Sequence, residues 1–90
     1  MAGLLPKGVI HELSQIIYDS TNGDLNNQPL GSFIFCEIGV KNAPISTAKG
    51  YSVIFGTNLW SIQIFLVIDT AKTYIRRFAY NAWASWTALN

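Results

Sequence analysis

Between Leu5 and Tyr18 the apolar residues Val9, Ile10, Leu13, Ile16 and Ile17 recur at three- and four-residue steps. That is the period of one helix face, and Ile10, Leu13 and Ile17 keep the alternating spacing of a heptad seam. Pro6 suits a first helical turn, where its missing N–H costs nothing. The pattern predicts a short helix over residues 4–18, within an N-terminal segment spanning 1–20. A helix of about two heptads is marginal by itself in water. It therefore needs a surface to pack on. Two surfaces satisfy the spacing equally: two further copies of the same helix around a three-fold axis, with Ile10, Leu13 and Ile17 as trimer contacts, or the chain's own sheet.

Residues 21–32 change character. They are rich in turn formers, among them Asn22-Gly23, and read as a linker or ordered loop. From Phe33 the period becomes two, the mark of strands. Phe33–Val40 places Phe33, Phe35 and Glu37 on one face and Ile34, Cys36 and Ile38 on the other. Asn42-Ala43-Pro44 breaks the run. Tyr51–Phe55 follows, with a turn at Gly56-Thr57-Asn58. Trp60–Ile68 alternates most clearly, Trp60, Ile62, Ile64, Leu66 and Ile68 opposing Ser61, Gln63, Phe65 and Val67. Both sets are apolar towards the end of that run, which predicts cover on both sides there. Asp69–Lys72 reads as a tight connection, and Thr73–Ala79 and Trp83–Leu89 as the last strands. The expected architecture is mainly β: residues 33–90 as a small antiparallel sheet, preceded by one short helix.

Half of the 90 residues are hydrophobic and only 12% are charged, against about 25% charged in an average soluble domain. A domain this small hides only about 60–65% of its unfolded surface as a monomer. The apolar excess therefore argues for association, and with the heptad segment it predicts an intertwined or side-by-side homotrimer. The basic residues are scattered and the net charge is +1, so no basic stripe for nucleic acid is present. The longest apolar run, Ile64–Ile68, is far short of the roughly 20 residues a membrane-crossing helix needs, and no membrane insertion is expected. The N-terminus lacks an apolar stretch of secretory length, and Met1-Ala2-Gly3 fits a piece of a longer chain. The lone Cys36 excludes an intrachain disulfide and reads as a buried, inert thiol.

The titratable stock is His11, Glu12, Asp19, Asp24, Glu37 and Asp69. It contains no Ser-His-Asp set, metal-ligand cluster or phosphate-binding glycine loop, and Asp19 and Asp24 do not complete a calcium loop. Glu37 and Asp69 are the only strand-region carboxylates, and strand ends hold such residues for turns or solubility more often than as the facing pair that glycoside hydrolysis needs. Three copies of His11 could meet only on an axis that the seam assigns to Ile10, Leu13 and Ile17. The reading is a non-enzyme with no cofactor. The aromatic residues are the better candidates for chemistry. Flat rings of Trp and Tyr stack on the C–H faces of sugars and recur in binding hot spots. Trp83, Trp86, Tyr80, Tyr74 and Arg76 are the candidate receptor or saccharide contacts, although for Trp60, Trp83 and Trp86 a place in the core is the stronger reading. Trp83 and Trp86, three apart, cannot share a face of a regular strand. One of them is expected inside or at a trimer contact and the other partly exposed.

Asp24-Leu25-Asn26, Asn42-Ala43-Pro44, Gln63 within an apolar strand, Tyr74-Ile75-Arg76 and the closing Trp83-Ala84-Ser85-Trp86-Thr87-Ala88-Leu89 occur in that order over residues 19–90. As an ordered set they resemble the knob-like modules of phage tail fibres and R-type pyocin fibres. The family often places a glycine before the first Trp of the closing motif; Tyr80-Asn81-Ala82 stands there instead. The resemblance implies a homotrimeric structural and adhesion module of a virion tail fibre, made in the host cytoplasm. Its partners would be itself, other tail or tail-fibre proteins and a bacterial surface polysaccharide. The terminal Trp-x-x-Trp-x-x-Leu would place the module at the fibre tip. A free-standing carbohydrate-binding module of a larger enzyme is the alternative, and it needs no trimer.

Overall fold

The computed structural model describes residues 17–19 and 23–90. Seven strands form one sheet: β1 (Ile17–Asp19), β2 (Phe33–Cys36), β3 (Gly50–Gly56), β4 (Ser61–Val67), β5 (Thr73–Ala79), β6 (Ala82–Trp83) and β7 (Thr87–Ala88). β2 to β5 run as an antiparallel meander in sequence order, β1 lies parallel on the β2 edge, and both β6 and β7 pair with β5. A 3₁₀ turn, Leu25–Asn27, lies between β1 and β2, with Asp24 as its cap. The described part of the protein is thus mainly β and antiparallel, with almost no helix.

The connections explain the registers. After Gly56 the chain reverses on Thr57, whose N–H donates to the Trp60 carbonyl at 2.8 Å and whose hydroxyl accepts the N–H of Trp60 at 3.0 Å. Gly56 is required there: its φ is 126° and a Cβ would run into the Trp60 carbonyl. β4 and β5 are joined through Ala71 at φ 55°, clamped by Val67 N–H donating to the Lys72 carbonyl at 2.9 Å. Ala79 pairs with Ala82 across a two-residue turn in which Tyr80 and Asn81 have φ of 55° and 61°. Positive φ at both central residues matches the twist of a tight hairpin, so Tyr80-Asn81 closes the hairpin without a glycine. The cost is a bulky residue in the left-handed region.

The two faces of the sheet differ. Ile34, Cys36, Ser52, Ile54, Gln63, Phe65 and Val67 are buried on the inner face. Leu25 and Val40 close over it from the loops, with Ala43, Ile45, Ala48, Tyr74 and Trp86 packed around them. The other face carries Phe33, Phe35, Tyr51, Val53, Phe55, Ile62, Ile64, Leu66 and Ile75, matched across the strands by the register. Each of these is half-buried or exposed. Tyr51 makes a tilted contact with Phe33 at 5.7 Å and an edge contact with Phe35 at 5.5 Å.

Several expectations are corrected. The helix expected over 4–18 ends in a strand instead, since Ile17–Asp19 pairs with β2; its remainder, with Ile10 and Leu13, lies outside the described residues. The Phe33–Val40 strand stops at Cys36 because the chain turns at Glu37–Gly39, with Gly39 at φ 95°. Ile38 consequently leaves the inner face and is 47% exposed. Trp60 belongs to the turn rather than to β4 and is also exposed. Towards the end of β4, among the described residues, Phe65 and Val67 are buried on the inner side while Leu66 on the other is exposed. Trp83–Leu89 is two short pairings, β6 and β7, separated by Ala84–Trp86.

Candidate functional site

Register places Arg76 of β5 opposite Gln63 of β4 on the inner face. Arg76 is buried at 6% exposure, and its Nε donates to Gln63 Oε1 at 2.7 Å while Nη2 donates to Asn26 Oδ1 at 2.9 Å. Its guanidinium carbon lies 3.9 Å from the Trp83 ring centroid and 4.6 Å from that of Trp86. The break between β6 and β7 is what lets two tryptophans three residues apart reach one cation. The expectation that they diverge to opposite faces is therefore corrected. A planar cation held by flat rings and neutral carbonyls keeps its charge without a buried carboxylate. Burial pulls Arg76 down to about 10, which leaves it protonated at neutral pH.

Gln63 extends the network. Its Nε2 donates to the Leu25 carbonyl at 3.0 Å and to Gln28 Oε1 at 2.8 Å. Gln28 Nε2 in turn donates to the carbonyls of Ser32 and Ser52 at 3.1 and 3.0 Å, and Ser52 Oγ donates to Gln28 Oε1 at 2.6 Å. Every amide hydrogen of the two glutamines is thus used, as burial requires. On the rim, Asp24 Oδ1 accepts the Asn26 N–H at 2.9 Å and Asn42 Nδ2 at 2.7 Å. The Asn42 side chain, then the Asn26 N–H, hold the Asp24 carboxyl below its ordinary 3.8, assisted by Lys41 and Arg76. Trp86 Nε1 donates to the Asn42 carbonyl at 2.8 Å, tying the closing motif to the loop after β2.

Of the candidate receptor contacts, Tyr80 is 79% exposed and meets the exposed Trp60 edge-on at 5.0 Å. Trp83, Trp86 and Tyr74 are half-buried, and Arg76 is enclosed by its partners. Ile17 lies in β1, and Ile10 and Leu13 are outside the described residues. Two hollows flank the cluster. One, of about 270 Å³, opens beside β5 against Ile62, Ile75, Arg77, Ser85 and Thr87. The other, of about 140 Å³, is lined by Asn26, Gln28, Thr57, Asn58, Ser61 and Trp83, with Leu30, Ile54 and Phe78 as its apolar wall. Sequence reasoning did not select Gln28, Asn58 or Ser61. Of the amides in the network, Gln63, alone in an apolar strand, carried a visible signal beside Arg76, Trp83 and Trp86.

In comparisons with known proteins the chain matches no family model, no curated protein and no solved structure.

Proposed function

We propose that the chain is a non-enzymatic structural and adhesion module of a phage, or phage-tail-like, tail fibre, acting as a homotrimer at a host-contacting surface. The observation that carries this reading is the outer face of the sheet. Phe33, Tyr51, Val53, Phe55, Ile64 and Leu66 share it, and none is buried. Complete burial of one such side chain is worth about 1.5–3 kcal/mol, so leaving this face in water is costly. Along the paired strands β2 to β5, among the described residues, this face carries no charged side chain except Arg77 at one end, opposite Ile62. An uncharged apolar face complements another copy of itself better than it complements a charged partner, and a fibre supplies such copies at a fixed axis.

The fibre context rests on the ordered motifs. Their members meet in space: Asp24, Asn26, Asn42, Gln63, Arg76, Trp83 and Trp86 form one connected cluster. Motif residues used in this way hold the scaffold, and receptor contact falls to whatever they leave accessible, from the exposed Tyr80 and Trp60 to the open part of the half-buried Trp83. Bacterial surface polysaccharide is the partner that exposed rings suit, and three copies on one axis raise avidity without a strong single site.

Sedimentation at micromolar concentration tests the reading. A mass three times that of the 10.0 kDa chain is expected, and Ile64→Gln is expected to reduce it to one chain while the far-ultraviolet β signal persists. A parent chain that sediments as a monomer overturns the trimer. It would mean that residues 1–16 or nothing covers the face, and would leave the monomeric carbohydrate-binding module.

A further inference from the structure

We infer that the hollow between the 3₁₀ turn and the β3–β4 turn is a binding site for one residue of an uncharged saccharide. The inference rests on the adhesion reading for its biological purpose, while its geometry stands apart from the oligomeric state.

The lining is an aromatic wall with unspent polar groups. Trp83 has Arg76 against its ring and Phe78 edge-on at 5.3 Å, which fixes the indole. The indole remains half-buried and forms part of the wall. Its Nε1 makes no hydrogen bond among the described residues. Asn26 has its Oδ1 held by Arg76, so the orientation of its amide is set and Nδ2 remains available. The hydroxyl of Ser61, a residue only 7% exposed, and the side-chain amide of Asn58 likewise have no hydrogen-bond partner among the described residues. Gln28 and Thr57 are committed elsewhere: Gln28 within the amide network, and Thr57 to the N–H groups of Leu59 and Trp60. Donors and acceptors beside a rigid ring are what a sugar's hydroxyls and C–H face require.

Charge and size narrow the class. Among the described residues no ionised side chain lines the hollow, and the nearby cation is spent on Gln63, Asn26 and the tryptophans. An acidic sugar would find no counter-charge and an amine no carboxylate. The 140 Å³ of space accommodates about four or five waters at ~30 Å³ each, comparable to a single hexose ring. Such a shallow site binds weakly, on the order of millimolar, and gains from repetition on an axis.

The test uses the full-length chain labelled with ¹⁵N and titrated with D-glucose, D-galactose and N-acetylglucosamine, with sedimentation of the same sample. Saturable shifts of the Trp83 indole and the Asn26 and Asn58 side-chain amides are expected with at least one of the three. Asn58→Ala and Ser61→Ala should each weaken binding by about tenfold or more, whereas Ser85→Ala, beside the other hollow, should not. The site is overturned if no sugar gives a saturable shift up to about 100 mM. It is equally overturned if the shifts centre on Tyr80 and Trp60, or survive both substitutions in variants that keep the parent's dispersed spectrum. A trimer without these shifts refutes the site and leaves the fibre reading; a monomer with them refutes the trimer and leaves the site.

Discussion

Gln63 and Ile64 are neighbours on β4 and point to opposite faces of the sheet, yet the amide has no exposure at all while the isoleucine is only half-buried. The same inversion runs along the strand, with Ser61 buried and Leu66 exposed. Hydropathy did not choose the inside. The loops did, because Leu25, Val40 and Trp86 close over the Gln63 side. A polar inner face is tolerable only when each polar atom is paired or reaches water, and among the described residues no side-chain nitrogen or oxygen that is itself sealed from solvent lacks a partner. The outer face has the opposite need. It requires no hydrogen bonds but gains by leaving water.

The sharpest way to break the comparison is to exchange the chemistry of the two neighbours. Gln63→Leu keeps the volume but leaves Arg76 Nε, Gln28 Oε1 and the Leu25 carbonyl short of a partner. It is expected to destabilise the chain by about 3–5 kcal/mol in urea unfolding. Ile64→Gln should alter the folding of the isolated chain by less than about 1 kcal/mol and act on association instead. Equal costs for the two would mean that the amide network is not what holds the inner face.

Gly50→Ala tests how tightly that face is packed. An added Cβ would meet the Leu66 carbonyl and the Phe65 ring, and a loss of about 1–3 kcal/mol in the same assay is expected. A smaller effect comes from acid. Asp24 is held below 3.8 in the folded chain by Asn42 and Asn26. Its contribution is therefore complete above its unfolded value and lost as pH falls through the lower folded one. Stability should decline from roughly pH 5 to pH 3, and Asp24→Asn should flatten part of that decline. An unchanged slope would show that the rim carboxylate contributes nothing through its charge. The mildest change belongs to neither face: Ala71→Gly relieves a φ of 55° and should raise stability by about 0.5–1 kcal/mol, seen as a higher melting temperature.

Alternation located β3, β4 and β5 almost to the residue. Thr73–Ala79 agrees at both ends, and Tyr51–Phe55 lies within the observed Gly50–Gly56. These are long, regular strands joined by short turns, where local period and turn chemistry suffice. Reading failed where a strand ends for a non-local reason. Phe33–Val40 is cut at Cys36 because Lys41 N–H donates to the Gly23 carbonyl and Leu25 N–H to that of Lys41, drawing the loop across the core. The closing strand is interrupted because Trp83 and Trp86 both lie against Arg76. The candidate site was legible in part: Trp83 stood out as an aromatic near the chain end, whereas Asn26, Asn58 and Ser61 are ordinary turn and strand residues in one dimension.

The sequence alone determined that the chain is mainly β, where its central strands and tight turns fall, and that it is half hydrophobic with few charges. Those properties are local or additive: a period of two, a positive-φ turn, a count of side chains. Only the tertiary structure decided which face of the sheet became the interior. The two faces of β4 were both apolar enough to serve. The choice depended on loops 23–32 and 37–48 converging on Gln63 and Arg76, contacts up to 50 positions apart in the chain. No window along the sequence contains both ends of such a contact, so the polar interior and the apolar exterior became visible only once the chain had closed.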